Sequence, residues 1–284
     1  MQIGVVLPQT EISGDVGAVR AYADRVADLG YAHLLAYDHV LGADPAVHEG
    51  WAGPYDISTT FHEPLVLFGF LAAITSLELV SGIVILPQRQ TALVAKQAAE
   101  VDLLAEGRFR FGVGIGWNPV EYEALGERFD TRGRRMSEQI ALLRRLWTET
   151  SVTHAGEFDV ITGAGLAPPP VQRPIPIWIG GSSDAAYRRM GRLADGWFPQ
   201  VRPGEDLDHA LEVIGAAARD AGRDPETIGM EGRARWDPAD PEKAIRQLER
   251  WRAAGATHVS VDTMRAGLDG VDAHLEALAR VTAR

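Results

Sequence analysis

Short apolar runs alternate with helix-like stretches from one end of the chain to the other. This alternation restricts the fold more than any other feature. Strand-like runs fall at Ile3–Leu7, His33–Tyr37, Leu77–Leu86, Arg108–Ile115, Ile177–Ile179, Gly196–Pro199, Thr227–Arg235 and His258–Asp262. Between them, Gly14–Leu29, Pro64–Thr75, Thr91–Leu104, residues 120–148, a stretch from about Ser183, residues 206–221, Pro241–Ala254 and residues 269–283 read as helices. Residues 40–62 read as a long loop, Val152–Val160 as a hairpin-like excursion and Pro168–Pro176 as a proline-rich loop. Strands that alternate with helices build right-handed βαβ units on a parallel sheet. About eight such units in 284 residues favour a closed (β/α)8 TIM barrel with insertions over a doubly wound open sheet. No linker or low-complexity segment divides the chain, so residues 1–284 read as a single domain.

Composition narrows the function classes. The net charge of -11 argues against nucleic acid and against anionic membrane surfaces as partners, and leaves a small-molecule substrate. With no cysteine, thiolate catalysis, cysteine–zinc and iron–sulfur chemistry are excluded. The N-terminal MQIGVVLPQT lacks the features of a signal peptide, and no apolar run is long enough for a membrane span, so the expected location is cytoplasmic.

In a (β/α)8 barrel the chemistry lies at the carboxyl ends of the strands. Asp38-His39 follows the second strand-like run, and an imidazole there suits proton transfer near neutral pH. The alternative is a loop histidine held by a neighbour. His62-Glu63 lacks the second histidine of H-E-x-x-H, so no metal site is expected. In GRFRFGVGIGWNPVEYEALG, Gly112, Gly114 and Gly116 alternate along a strand and Asn118-Pro119 opens a helix. Either the bare positions let the strand pack closely on its neighbours, or a flat ring system lies against the strand end. Gly180-Gly181-Ser182-Ser183 follows IPIWI, and exposed backbone N–H groups before a serine-capped helix suit a phosphate, unless the serine is an ordinary cap. Trp51, Tyr55 and Phe61 either roof a pocket or bury themselves beneath the long loop.

Taken together, FHEPLVLFGFLAAIT, the block from LELVSGIVILPQRQTALVAKQAAEVDLLAEGRFRFGVGIGWNPVEYEALG, RGRRMSEQIALLRRLW, PPPVQRPIPIWIGGSSDAAYRRMGRLADGWFP and ATHVSVDTM resemble the bacterial luciferase-like superfamily. Within it they resemble the branch of oxidoreductases that use the deazaflavin coenzyme F420. The resemblance implies a hydride transfer between coenzyme F420 and an organic substrate. FMN-dependent monooxygenase chemistry and a non-catalytic flavin-binding barrel are the alternatives. It implies that Asp38 contacts the ring or its polyol, that His39 sits near the reactive face, and that Gly114, Gly116 and Asn118 line the ring pocket. It places the phosphate in a turn at Gly180, Gly181 and Ser182, and a non-proline cis peptide behind the ring, most readily at Ile83–Val84. Some members carry a glutamate proton donor where this chain has Trp117, so that the acid is either absent or supplied by His39 or Glu63. Arg89 either meets the cofactor's acidic tail or lies on the surface, and a homodimer is the assembly the resemblance implies.

Overall fold

The computed structural model describes residues 1–282. Its strands are β1 (Gln2–Val6), β2 (His33–Ala36), β3 (Glu78–Ser81), β4 (Val84–Ile85), β5 (Phe109–Gly114), β6 (Val152–Ala155), β7 (Val160–Ala164), β8 (Ile177–Gly181), β9 (Gly196–Pro199), β10 (Gly229–Arg235) and β11 (His258–Asp262). Its helices are α1 (Gln9–Ile12), α2 (Val16–Asp28), α3 (Pro64–Leu71), α4 (Thr91–Leu104), α5 (Pro119–Ala124), α6 (Arg132–Thr148), α7 (Asp184–Leu193), α8 (Glu205–Asp220), α9 (Glu242–Ala253) and α10 (Gly270–Thr282). The sheet runs β3-β2-β1-β11-β10-β9-β8-β5-β4, and a further β3–β5 pairing closes it. Because β4 continues β3, the ring has eight staves, all parallel: the expected (β/α)8 barrel. The expected excursion is an antiparallel β6–β7 hairpin that reaches Ala164, beyond the predicted end at Val160.

Two elements differ from the sequence reading for local reasons. Leu77–Leu86 is not one strand: it breaks at Gly82-Ile83 and ends in a 3-10 turn at Leu86–Gln88. The cis peptide sits at Gly82–Ile83, one residue earlier than expected at Ile83–Val84. Residues 120–148 split into α5 and α6, with Gly126 at positive φ just past the end of α5. Of the last predicted helix, 269–283, residue 283 lies outside the described residues.

Strand periodicity sorts side chains into two cores. Outward residues of each stave, such as Phe109, Phe111 and Val113 of β5, join helix residues in one large buried layer. Inward residues form a smaller cluster of Val6, Leu35, Val80, Trp178 and Phe198 that plugs the middle of the barrel. Below the plug, Glu231 accepts from Arg110 Nη1 at 2.6 Å and from Ser260 Oγ at 2.5 Å, and lies 3.1 Å from His33 Nε2. Arg110 also pairs with Glu78 at 2.8 Å. Burial alone would raise the Glu231 carboxyl, but the flanking Arg110 and His33 hold it far below the usual carboxylate range. Above the plug the barrel opens.

Among the described residues no helix is long and apolar enough to cross a membrane.

Candidate active site

The open end of the barrel holds a cleft of about 930 Å³ lined from β2, β4, β5, β8, β10 and β11 and the segments that follow them. Of the residues singled out in sequence, Asp38, His39, Ile83, Gly114, Gly116, Gly180, Gly181 and Ser182 line it. Glu63, Val84 and Asn118 do not.

His39 lines the cleft. Its Nδ1 lies 3.4 Å from Glu121 Oε2, and aromatic rings surround it: Phe61 at 4.8 Å, Tyr55 at 5.0 Å and Trp117 at 5.7 Å between centroids. A carboxylate only accepts, so this contact places the hydrogen on Nδ1 and leaves Nε2 as the ring's other polar atom. Glu121 stands at the third position of α5, after its Asn118 cap and Pro119. That is capping-box spacing, in which the glutamate turns back to its own helix start. Here the fully buried carboxylate instead receives the Val40 amide at 2.7 Å and the Leu41 amide at 3.1 Å. Burial pushes the Glu121 carboxyl up, but His39 and the two amides outweigh it, and the net shift is downward. Glu121 was missed in sequence because an acidic first turn is common; only the fold brings it beside His39.

Several expectations are corrected. Asp38 borders the cleft, yet its side chain is fully buried, with Oδ2 accepting from the Ile85 amide at 2.9 Å and Oδ1 from Arg89 Nη2 at 2.9 Å. Its carboxylate fastens the bulge between β3 and β4. Burial raises this carboxyl, with Arg89 and Ile85 pulling it back. Glu63 lies outside the cleft lining: it caps α3 through the Val66 amide at 2.7 Å and pairs with Arg89 at 2.7 Å. Arg89 is thereby committed to two carboxylates. Val84 is fully buried in the outer core. Asn118 caps α5 and donates Nδ2 to the Leu41 carbonyl at 3.4 Å, so it ties down the long loop and lines only a smaller neighbouring pocket. Tyr55 roofs the cleft, whereas Trp51 and Phe61 buttress it, Trp51 by donating Nε1 to the Tyr55 carbonyl at 3.0 Å.

The alternating glycines serve the bulge. A Cβ at Gly112 would lie 1.8 Å from the Ser81 carbonyl oxygen, one at Gly114 2.7 Å from Ile83 Cδ1, and one at Gly116 2.7 Å from Ile85 Cγ2. The close-packing reading therefore holds for all three, and Gly114 and Gly116 line the cleft as a by-product. Gly180 and Gly181 end β8, where a turn was expected, with Gly181 paired to Pro199. Ser183 caps α7 by accepting from the Ala186 amide at 3.3 Å, and the first turn of a helix leaves N–H groups without helical acceptors. Missing from the sequence reading as side chains facing the cleft are Tyr37 and Arg233, joined by a hydrogen bond from the guanidinium to the phenol oxygen. Among the described residues no group of three or more His, Cys, Asp or Glu side chains is placed to hold a metal ion.

The family model described as luciferase-like monooxygenase matches residues 1–279, and the chain belongs to that family of oxidoreductases. An uncharacterized protein of Mycobacterium tuberculosis is 38% identical over 164 residues, which is 57% of this chain and 56% of that protein. The chain thus matches little more than half the length of that relative. An FMNH(2)-dependent dimethylsulfone monooxygenase of Pseudomonas fluorescens is 36% identical over 151 residues, 52% of this chain and 41% of that enzyme. The structure of the coenzyme F420 dependent tetrahydromethanopterin reductase from Methanopyrus kandleri superposes with a TM-score of 0.76 at 16% identity, covering 98% of this chain and 97% of that one, a likeness of fold.

Proposed function

We propose that the protein moves a hydride between coenzyme F420 and a small organic substrate. The observation that carries this reading is the cleft itself: bare backbone at Gly114, Gly116 and Gly180, the Ile83 shoulder between them, His39 on one side and the start of α7 on the other. A Cβ at Gly114 would lie 2.7 Å from Ile83 Cδ1, one at Gly116 2.7 Å from Ile85 Cγ2 and one at Gly180 3.1 Å from Ile83 Cγ2, so this edge stays free of bulk where a planar ring has to lie. The backbone of Gly181, Ser182 and Ser183 and the α7 dipole would hold the phosphate. When bound, the deazaflavin ring supplies two-electron hydride chemistry at carbon. His39 would carry the accompanying proton through Nε2, with Glu121 fixing the tautomer from behind. Tyr55 and the loop it belongs to exclude water from the cleft.

Anaerobic titration of the purified protein with each cofactor tests this. The expected outcome is micromolar binding of coenzyme F420 and none of FMN. His39→Phe and Glu121→Gln then keep cofactor affinity while turnover on a panel of enones, imines and alcohols falls about 100-fold for His39→Phe and less for Glu121→Gln. Equal turnover in His39→Phe would sink the proton role. The similarity to an FMNH(2)-dependent sulfone monooxygenase favours a second reading, reduced FMN with oxygen. FMN-selective binding with oxygen consumption would establish that one.

A further inference from the structure

The whole chain carries 28 Lys and Arg against 39 Asp and Glu. The cleft reverses this balance: Arg189, Arg233, Arg235, Lys243 and Arg265 line it, against Asp38, Asp237 and Asp262. Asp38 is bound by Arg89 and Asp237 pairs with Lys243 at 2.7 Å, while Asp262 accepts the Met264 amide at 3.0 Å and acts on Arg233 and Arg235 without a direct ion pair. Among the described residues none of the four arginines makes an ion pair. Arg189 is held by Ser137 and the Gly133 carbonyl. Arg233 donates to the Tyr37 hydroxyl and feels the Asp262 and Glu231 carboxylates only at a distance, and Arg265 donates to the Pro54 carbonyl at 3.2 Å while lying over the Tyr55 ring at 4.5 Å.

A guanidinium in a barrel with no direct carboxylate contact keeps N–H groups free to hydrogen-bond an arriving anion. Two further donors nearby lack acceptors: Arg233 Nε and Trp236 Nε1 are buried and unpartnered, and both residues line the cleft. Alternation along β10 places Arg233 and Arg235 on the same inward face, one above the other. The cluster belongs to β10, β11 and the segments after them, apart from the Gly180–Ser183 corner of β8 and α7.

We propose that this wall is a second anion site, and that the substrate of the proposed redox reaction is an organic acid whose carboxylate or sulfonate is gripped by Arg233, with Arg235 and Arg265 at the rim. The inference rests on the redox reading for the word substrate, but not for the anion site. A planar guanidinium with free N–H groups matches a carboxylate bidentately, whereas a neutral alcohol or ketone leaves the charge unmet.

The test is calorimetric titration, at low salt, with 4-phenylbutanoate, 4-phenylbutanesulfonate and the neutral 4-phenylbutan-1-ol. Each is run on the cofactor-free and the cofactor-saturated protein. The expected result is that both acids bind at least about tenfold tighter than the alcohol in either form. Arg233→Gln abolishes that preference and Arg265→Gln reduces it, while cofactor Kd changes by less than about twofold. Arg265 is exposed at the rim, so its variant keeps the test standing if Arg233→Gln fails to fold. Equal binding of acid and alcohol, no binding of the acids, or a preference that survives both variants overturns the proposal. So does competition between acid and cofactor, or a cofactor affinity that collapses in the variants, because the arginines then hold the cofactor's own acidic tail. If neither coenzyme F420 nor FMN binds the wild type, the redox reading fails while the acid preference of the cofactor-free protein still decides the anion site.

Discussion

The two polar layers of the barrel interior are built from the same strand yet behave as opposites. Glu231 and Arg233 are two residues apart on β10 and face the same way. Below the apolar plug, Glu231 is fully buried and satisfied by Arg110, Ser260 and His33. Above it, Arg233 has the Tyr37 phenol as its hydrogen-bond partner and no direct ion pair, with Asp262 acting on it from a distance. A closed network stabilises only as a whole and gives no foothold to a ligand. An open one leaves binding capacity unused in the free protein. One strand therefore supplies both the foundation and the site, and the Val6, Leu35, Val80, Trp178 and Phe198 plug keeps them apart.

That contrast can be broken from below most severely. Glu231→Ala leaves the buried Arg110 with Glu78 as its one carboxylate and His33 with Ser260 alone, and should cost about 3–5 kcal/mol in urea unfolding; a loss under about 1 kcal/mol would mean the lower layer is not the foundation. Gly112→Ala comes next. Its Cβ would strike the Ser81 carbonyl, and shifting the bulge should cost about 1–3 kcal/mol, together with lost cofactor affinity.

His258 sharpens the comparison through pH. Burial and then Arg110 push its pKa down to about 3, so it is neutral in the folded barrel while the unfolded chain protonates near the ordinary value of about 6.5. Its contribution is therefore complete above about pH 6.5 and is lost progressively as pH falls toward 3. Between about pH 6.5 and 5, where ordinary carboxylates stay ionised, His258→Asn should show a flatter decline in Tm than the wild type; parallel slopes would refute this. The smallest stability effect is expected at Arg233. Removing an unpaired charge loses one hydrogen bond and relieves burial, so Arg233→Gln should move unfolding by less than about 1 kcal/mol while it removes acid binding.

The outward half of the barrel was legible in the sequence because burial against helices imposes a two-residue period, as in Phe109, Phe111 and Val113. Thr91–Leu104, Gly196–Pro199 and His258–Asp262 have the limits that the pattern predicts. The inward half was not. Its residues touch across the barrel, Arg110 meeting Glu231 over 121 positions and His39 meeting Glu121 over 82, and no local period records such pairs. The glycine ladder was visible but its partner was not: only the broken third stave explains why side chains are missing at 112, 114 and 116. Asp38 as a ring contact and Glu63 as an alternative proton donor came from the family resemblance, and the fold pairs both with Arg89.

One carboxylate fastens two things at once. Glu121 receives the amides of Val40 and Leu41, where the long roof segment begins, and it also backs His39. Lifting that segment strips two donors from the oxygen atoms, and a carboxylate with fewer donors pulls harder on the imidazole hydrogen. In the proposed reaction, admission of a guest and the readiness of His39 to carry a proton would be reciprocal quantities, tied by linkage through a single bolt.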